Sequence, residues 1–417
     1  MRIKTLLRSG PALWAALVLL PALLWFSARN ADTAVEYWAS ASTQSLVVLG
    51  FVSGACGACA AWEAGRLTDA GIENWAPVRP RLRVAAVHLA PVAVLGLVGL
   101  LVSLVAFSGP ALGTPGHPDF LVLATAYLIV LSHMAVGYLL GCRLPRLISA
   151  ALMLIVGYFW GFWPAALDSP SWLRHLNGQG VTECCGLDQE PSLRSLGSAA
   201  AFSAGLIIVA LIVLVMRKSK ARLALAWTAG FVGIAAGVAM AHPMGFKGAQ
   251  ARDRSLFQCI GNRPQVCLWP EQRANEADFL RWSHDADRNL RAVGIKPVSR
   301  VEFGATIPNR NSVLTAISAG SMPSEPPACA QRPNARYPGD EAVSAVHSWL
   351  ALTAGAEPSA LQRQWPAPAV ALGEEVRRLP TEVQKRWFEQ NMRAVRDCSV
   401  EPDLDPASYA RAAGQPT

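Results

Sequence analysis

Apolar residues run in seven long, almost uncharged stretches through the first 242 residues, and then give way to short apolar repeats at helical spacing. A helix crossing the hydrocarbon core of a bilayer needs about 20 apolar residues, within a range of roughly 17 to 25. Seven stretches meet or approach that length: 11–27, 44–61, 84–108, 119–141, 147–164, 195–216 and 222–242. Neither Phe120–Gly141 nor Leu147–Trp163 contains an Asp, Glu, Lys or Arg. The pattern predicts an all-α polytopic membrane bundle of about seven transmembrane helices over 1–242. Met1 to Phe26 also has the basic start and apolar core of a secretory signal, but no good Ala-x-Ala cleavage site follows, so it reads as the first span.

Beyond His242-Pro243 the composition becomes that of a soluble chain. Residues 243–417 are predicted to form a separate extracytoplasmic domain, mostly α-helical and disulfide-containing, long enough to bury its own core. Ala277, Leu280, Ala286 and Leu290 alternate with charges and predict a helix over 274–293. Further helices are expected at 340–353 and 381–397, a strand at 297–303, and proline-rich joints at 323–327 and 365–368.

Charge fixes a direction. Cytoplasmic loops collect Lys and Arg. The N-terminus, loop 62–83, loop 142–146 and loop 217–222 carry thirteen cations between them, whereas loops 28–43, 109–118 and 165–194 carry only Arg29, Arg174 and Arg194. The N-terminus is therefore expected in the cytoplasm and the C-terminal domain outside a multi-pass plasma-membrane protein. The formal charge of +8 does not point to nucleic acid, because residues 243–417 hold 21 Lys and Arg against 19 Asp and Glu, with no basic run interleaved with aromatics. Membrane lipid is the expected surrounding.

Nine cysteines divide along the same boundary. Cys56, Cys59 and Cys142 fall in or beside spans; Cys184, Cys185, Cys259, Cys267, Cys329 and Cys398 would lie in an oxidising compartment, where disulfides persist. Cys259 and Cys267 flank a turn-rich Gly-Asn-Arg-Pro stretch and are expected to pair, leaving Cys329 for Cys398. A bond between adjacent Cys184 and Cys185 would be strained, so a bond from one of them to the tail, or two separate partners, is the expectation there, with two reduced thiols as the alternative. Cys-Gly-Ala-Cys at 56–59 has redox-motif spacing but sits among small residues in an apolar span, where packing is its expected role.

Candidate chemistry is sparse. Ionisable residues in a bilayer usually mark ion or proton pathways, and away from their ends (Asp119, Arg222, His242) the seven stretches offer His88 and His133 as candidates, each expected to be neutral and hydrogen-bonded. Gly50 and Gly54, Gly157 and Gly161, and Gly233 and Gly237 have helix-packing spacing. No phosphate-cradling Gly-x4-Gly-Lys-Ser/Thr loop occurs. In the tail, Glu271, His284, Asp285 and Asp287 are the right types for a metal or hydrolytic site, but they lack ligand spacing and also read as the solvated face of a helix. His347, in an apolar helix, is expected to be structural, and Trp269-Pro270 to plug the neighbouring disulfide. No catalytic residue, metal or cofactor is expected, and an extracytoplasmic hydrolase is the minor reading.

Loop 62–83 is the most informative cytoplasmic element. It begins helically, turns at Gly71, carries an amphipathic Ile72–Trp75 segment, breaks at Pro77 and Pro80, and re-enters the membrane behind an arginine cluster. Two spans, then a loop with a Glu-x2-Arg start (Glu63, Arg66), a Gly and a Pro-x-Arg stretch (Pro77, Arg79), then four more spans with a long external loop before the sixth, resemble permease subunits of ABC-2-type exporters. In that family the loop is a coupling helix that receives the motion of a separate ATP-binding subunit. The resemblance implies that Glu63, Arg66, Ile72, Glu73 and Trp75 face such a partner, and that the chain is half of a homo- or heterodimeric pathway. It covers roughly residues 1–216; the seventh span and the tail depart from it. The tail, with Cys-Ile-Gly-Asn-Arg-Pro-Gln-Val-Cys at 259–267 and Leu-Pro-Thr-Glu-Val-Gln-Lys-Arg-Trp at 379–387, resembles uncharacterised C-terminal domains of bacterial permease-like membrane proteins. The alternative is a membrane-anchored extracytoplasmic binding or sensing protein without transport.

Overall fold

The computed structural model describes residues 10–71, 80–216, 219–332 and 335–412. It is mostly helical, and its chain divides into two compact units, Met1–Arg252 and Asp253–Thr417.

The first unit contains α1 (Pro11–Asn30), a short α2 (Trp38–Gln44), α3 (Leu49–Asp69), α4 (Arg81–Phe107), α5 (Phe120–Gly141), α6 (Arg146–Ala166), α7 (Leu193–Val215) and α8 (Lys220–Ala241). Seven segments are long and apolar enough to cross a membrane, the second being α2 and α3 joined through a 3-10 turn into one run, Trp38–Asp69. Local signals set the starts. Asp119 caps α5 by accepting from the Leu121 and Val122 amides, Ser219 caps α8 by accepting from the Arg222 amide, and prolines 80 and 145 stand immediately before α4 and α6.

Large apolar side chains cover the outside of this bundle: Trp14, Val18, Trp227 and Phe231 are each about 70% exposed. Water would penalise such a surface heavily, whereas lipid would not. α3 is the enclosed element, with 72% of its apolar core buried against 11% for the segment containing α8. It packs against α5 and α6 at backbone contact. Gly54 faces Gly157, Gly50 faces Gly161, Gly137 meets the Gly57 carbonyl and Gly141 the Ala61 carbonyl, so a Cβ on any of the outer four would collide with α3. The glycine pairs of the sequence thus serve packing within the chain, and Gly205 faces Gly233 in the same way between α7 and α8. Buried hydroxyls are paired: Ser27 donates to Ser103 across α1 and α4, and Ser103 to the Ser45 carbonyl.

The first unit extends ten residues past the boundary expected at 242, because β2 (Ala249–Ala251) pairs antiparallel with β1 (Gln189–Pro191). The Ser192 amide also donates to the Gly248 carbonyl.

The second unit has a three-stranded sheet, β3 (Gln258–Ile260), β4 (Gln265–Leu268) and β5 (Arg300–Glu302), with β3–β4 antiparallel and β4–β5 parallel. Around it lie α9 (Glu276–Ala292), α10 (Arg310–Ala319), α11 (Asp340–Ala354), α12 (Pro358–Leu361), α13 (Ala367–Arg377), α14 (Thr381–Arg396) and α15 (Pro406–Ala412). Its core is centred on α11, where Trp349 and Leu350 are fully buried beside Trp387 of α14. The Trp349 indole donates to Gln384, whose amide donates in turn to the Arg377 and Leu379 carbonyls, so this pair is satisfied within the core.

Candidate functional site

The sequence expectation that α3 leaves the apolar core at residue 61 is corrected by the structure. The helix continues to Asp69, about two turns further, because no proline intervenes and Ala64, Gly65 and Leu67 are buried by packing. What read as loop 62–83 is therefore the last turns of α3, a connection, and the first turn of α4.

This extension gathers a polar cluster in an apolar surrounding. Glu63 is only 2% exposed. Arg66, one turn on, donates to Glu63 Oε2 from Nη2 at 2.6 Å and from Nε at 3.2 Å. His88 of α4 brings Nδ1 to 3.7 Å from the same oxygen. A small cavity of about 10 Å³ adjoins them, bounded by Glu63, Arg66, His88 and Pro91 and by the start of α1 at Pro11 and Ala12. Arg146, at the start of α6, stacks on Trp62 at 5.2 Å and lies 3.9 Å from Asp69, which ties α6 to the end of α3.

Of the residues the resemblance assigns to an ATP-binding partner, Glu63 and Arg66 are brought together. Glu63 does not face outward, however: its carboxylate is turned into the bundle toward His88, because the helix places positions 63 and 66 on neighbouring faces and the guanidinium covers it. Ile72, Glu73 and Trp75 lie outside the described residues.

The other end of α3 meets a folded cap made by residues 167–192 and 242–252. Its adjacent cysteines correct a second expectation: Cys184 is bonded to Cys185 rather than to the tail, and both are buried. Their segment is held inward by Thr43, which donates to the Cys184 carbonyl at 2.7 Å, so neither sulfur is presented to a distant partner. Behind them, buried His175 uses Nε2 to donate to the Gly245 carbonyl at 3.1 Å and Nδ1 to accept from Ser195 at 2.8 Å. Burial pushes this imidazole below its ordinary range, so it is neutral, in agreement with that bonding pattern. Asn177 donates to the Trp160 carbonyl and Gln179 to the Leu46 carbonyl, so the cap pins the ends of α6 and α3. Arg174 is also buried, lying over the Phe246 ring at 3.8 Å and donating to the Ala165 carbonyl at 2.5 Å.

In the second unit, Cys259 is bonded to Cys267 across β3 and β4, and Cys329 to Cys398. Trp269 is buried beside that sheet, its ring 4.8 Å from Phe257. Glu271, His284, Asp285 and Asp287 do not converge. Asp285 pairs with Arg288, Asp287 pairs with Arg291 at 2.7 Å, His284 is exposed, and Glu271 is buried ahead of α9. Among the described residues no group of three His, Cys, Asp or Glu is placed to hold a metal ion.

Sequence reasoning missed the proximity of Glu63 and His88. Each had a signal, a lone histidine in an apolar run and a carboxylate just past one, but only the lengthened helix joins them. No curated protein and no solved structure matches the chain. A family described as a domain of unknown function, DUF7224, matches residues 266–398, from the middle strand of the second unit's sheet to the last cysteine of its second disulfide.

Proposed function

We propose that the chain is the permease-like membrane subunit of an ABC-2-type export system, coupled to a separate ATP-binding subunit through the cytoplasmic connection between α3 and α4. The supporting observation is the build of α3. It runs from the closely packed centre of the bundle to Asp69, and glycines bring it to backbone contact with α5 and α6 along its length. Close-packed interiors transmit displacement rather than absorbing it. A push on the connection after Asp69 would therefore move α3 as a lever and reach the membrane core. The clustering of thirteen Lys and Arg on that side supports a cytoplasmic assignment, and with it an extracytoplasmic second unit. Buried Glu63 is then an internal anchor at the root of the lever, and the partner-facing part is the connection itself.

The test is purification of the full chain from native membranes in mild detergent. An ATP-binding subunit should be retained, and Glu73→Lys with Trp75→Ala should weaken its retention about tenfold, as expected for loss of interface anchors, without reducing membrane insertion. If no ATPase accompanies the unsubstituted chain, the export reading is to be abandoned.

A second reading is favoured by one observation: the family match covers the second unit alone, and that unit has its own core. On that reading the helices anchor an extracytoplasmic binding or sensing domain. It predicts that ligand capture persists in a preparation devoid of ATPase.

A further inference from the structure

We propose that Glu63 and His88 form a buried proton-binding site, in which one proton taken from water in the adjoining cavity is held between the Glu63 carboxylate and His88 Nδ1. The proposal stands independently of the export reading, since it requires only α3 and α4.

Three observations carry it. Glu63 and His88 are 2% and 9% exposed, yet Glu63 Oε1 and His88 Nδ1 have no hydrogen-bond partner among the described residues. Polar atoms buried in this way are costly unless something unrecorded in the protein's own contacts satisfies them. The two groups also face one another at 3.7 Å, just beyond hydrogen-bonding distance, so they are close enough to share a ligand but are not already bonded. Both border a cavity of about 10 Å³ that also touches the start of α1, roughly the room one water molecule needs to hand a proton to the pair.

The ligand's identity follows from the surroundings. Arg66 already sits on Glu63 Oε2 at 2.6 Å, so a metal cation at the same carboxylate would meet a fixed positive charge. A proton needs no vacant coordination sphere. Added to His88, it makes an imidazolium whose N–H donates to the carboxylate in a charge-assisted hydrogen bond, and its removal returns a neutral ring and an unprotonated carboxylate. No other bond is made or broken.

Among the described residues, the other ionisable groups packed near the pair are Arg66, Cys59, Tyr138 and Cys142. Cys59 lies one turn before Glu63 on the same helix, and Tyr138 of α5 packs with Ala64, Leu67 and Ala85 at this end of the bundle. The part of α1 that borders the cavity, Gly10 to Ala12, is uncharged. Proton uptake draws α4 toward α3 close to where the connection between them begins, so the spacing of these helices is linked to pH.

The test uses the purified full chain in lipid nanodiscs and pH-difference infrared spectroscopy, which reads buried carboxyl groups directly and needs no ATPase. The expected result is a pH-dependent shift of a buried carboxylate stretch, as the imidazolium N–H forms and loses its bond to it, that is lost in Glu63→Gln and also in His88→Gln. The proposal is overturned if a folded Glu63→Gln chain retains every such shift, or if His88→Gln titrates as the unsubstituted chain does. Should Glu63→Gln fail to fold, survival or loss of the signal in His88→Gln alone decides. Loss of the infrared signal with ATPase retention intact rejects the dyad and spares the export reading; the converse result does the reverse.

Discussion

His347 illustrates how one side chain gives the second unit a pH dependence. It is half-buried in α11 with its ring against Trp365, centroids 4.7 Å apart, and burial pushes its imidazole below the ordinary range despite a backbone hydrogen bond to Thr315. The unfolded chain takes up a proton near the ordinary value, the folded chain only at lower pH. Between those points the unfolded state binds more protons, so stability is lost as pH falls. A soluble fragment spanning 253–417 should melt at lower temperature on going from about pH 7 to about pH 5.5. His347→Gln should flatten that slope. An equal slope in the two proteins would show that His347 does not set it. The histidine's structural role was legible from its place in an apolar helix. The partner of Glu63 was not, because residues 63 and 88 meet only through the crossing of α3 and α4. Nor was the Cys184–Cys185 bond, since its inward position depends on contacts such as that from Thr43.

Among elements, the helices were largely legible and their ends were not. The expected helices at 274–293, 340–353 and 381–397 appear as Glu276–Ala292, Asp340–Ala354 and Thr381–Arg396, because period and proline breaks mark them strongly. The buried face of α9 is nevertheless Phe279, Ser283, Ala286 and Leu290 rather than the face through Ala277, a rotation that only the neighbours on α10 and α11 determine. The long run of α3 was truncated in the sequence because charge at Glu63 looked like the edge of the membrane, whereas its pairing allows it to be buried. Packing of that helix predicts a sharp mutational contrast. A Cβ on Gly157 would sit 2.6 Å from the Gly54 Cα, while one on Gly109 would meet nothing within 4 Å. Gly157→Ala should destabilise the detergent-solubilised chain by about 1–3 kcal/mol through overpacking, and Gly109→Ala should be near neutral, as read by thermal unfolding. In the second unit, Cys329–Cys398 spans 69 residues of sequence, so replacing both by Ala should cost about 4 kcal/mol through the unfolded chain's greater freedom, measurable as a fall in denaturant midpoint. An unchanged midpoint would mean that the bond adds no constraint.

At the scale of the whole molecule, the most consequential element is α8, because it is the least enclosed of the seven apolar segments and decides on which side of the bilayer the second unit stands. Its flanks differ from those of the central helices: Leu223, Trp227, Phe231 and Ile234 are exposed on the bundle's surface. Taking such side chains out of water is worth about 1.5–3 kcal/mol each, enough to favour lipid strongly whether the helix crosses the membrane or lies along it. Length and charge separate these cases. Lys220–Ala241 has 22 residues, long enough to cross, and its cations are confined to the first turn, whereas a helix lying in the interface carries a polar face along its whole length. Lys220 opens the helix and Lys296 lies beyond its end, and both are exposed. If α8 crosses, the two lysines lie on opposite sides, whatever becomes of the first span. A membrane-impermeant amine reagent applied to intact cells should therefore modify Lys296 and reach Lys220 only after permeabilisation. Joint labelling of both in intact cells would make α8 a surface helix, and protection of both would place the second unit in the cytoplasm.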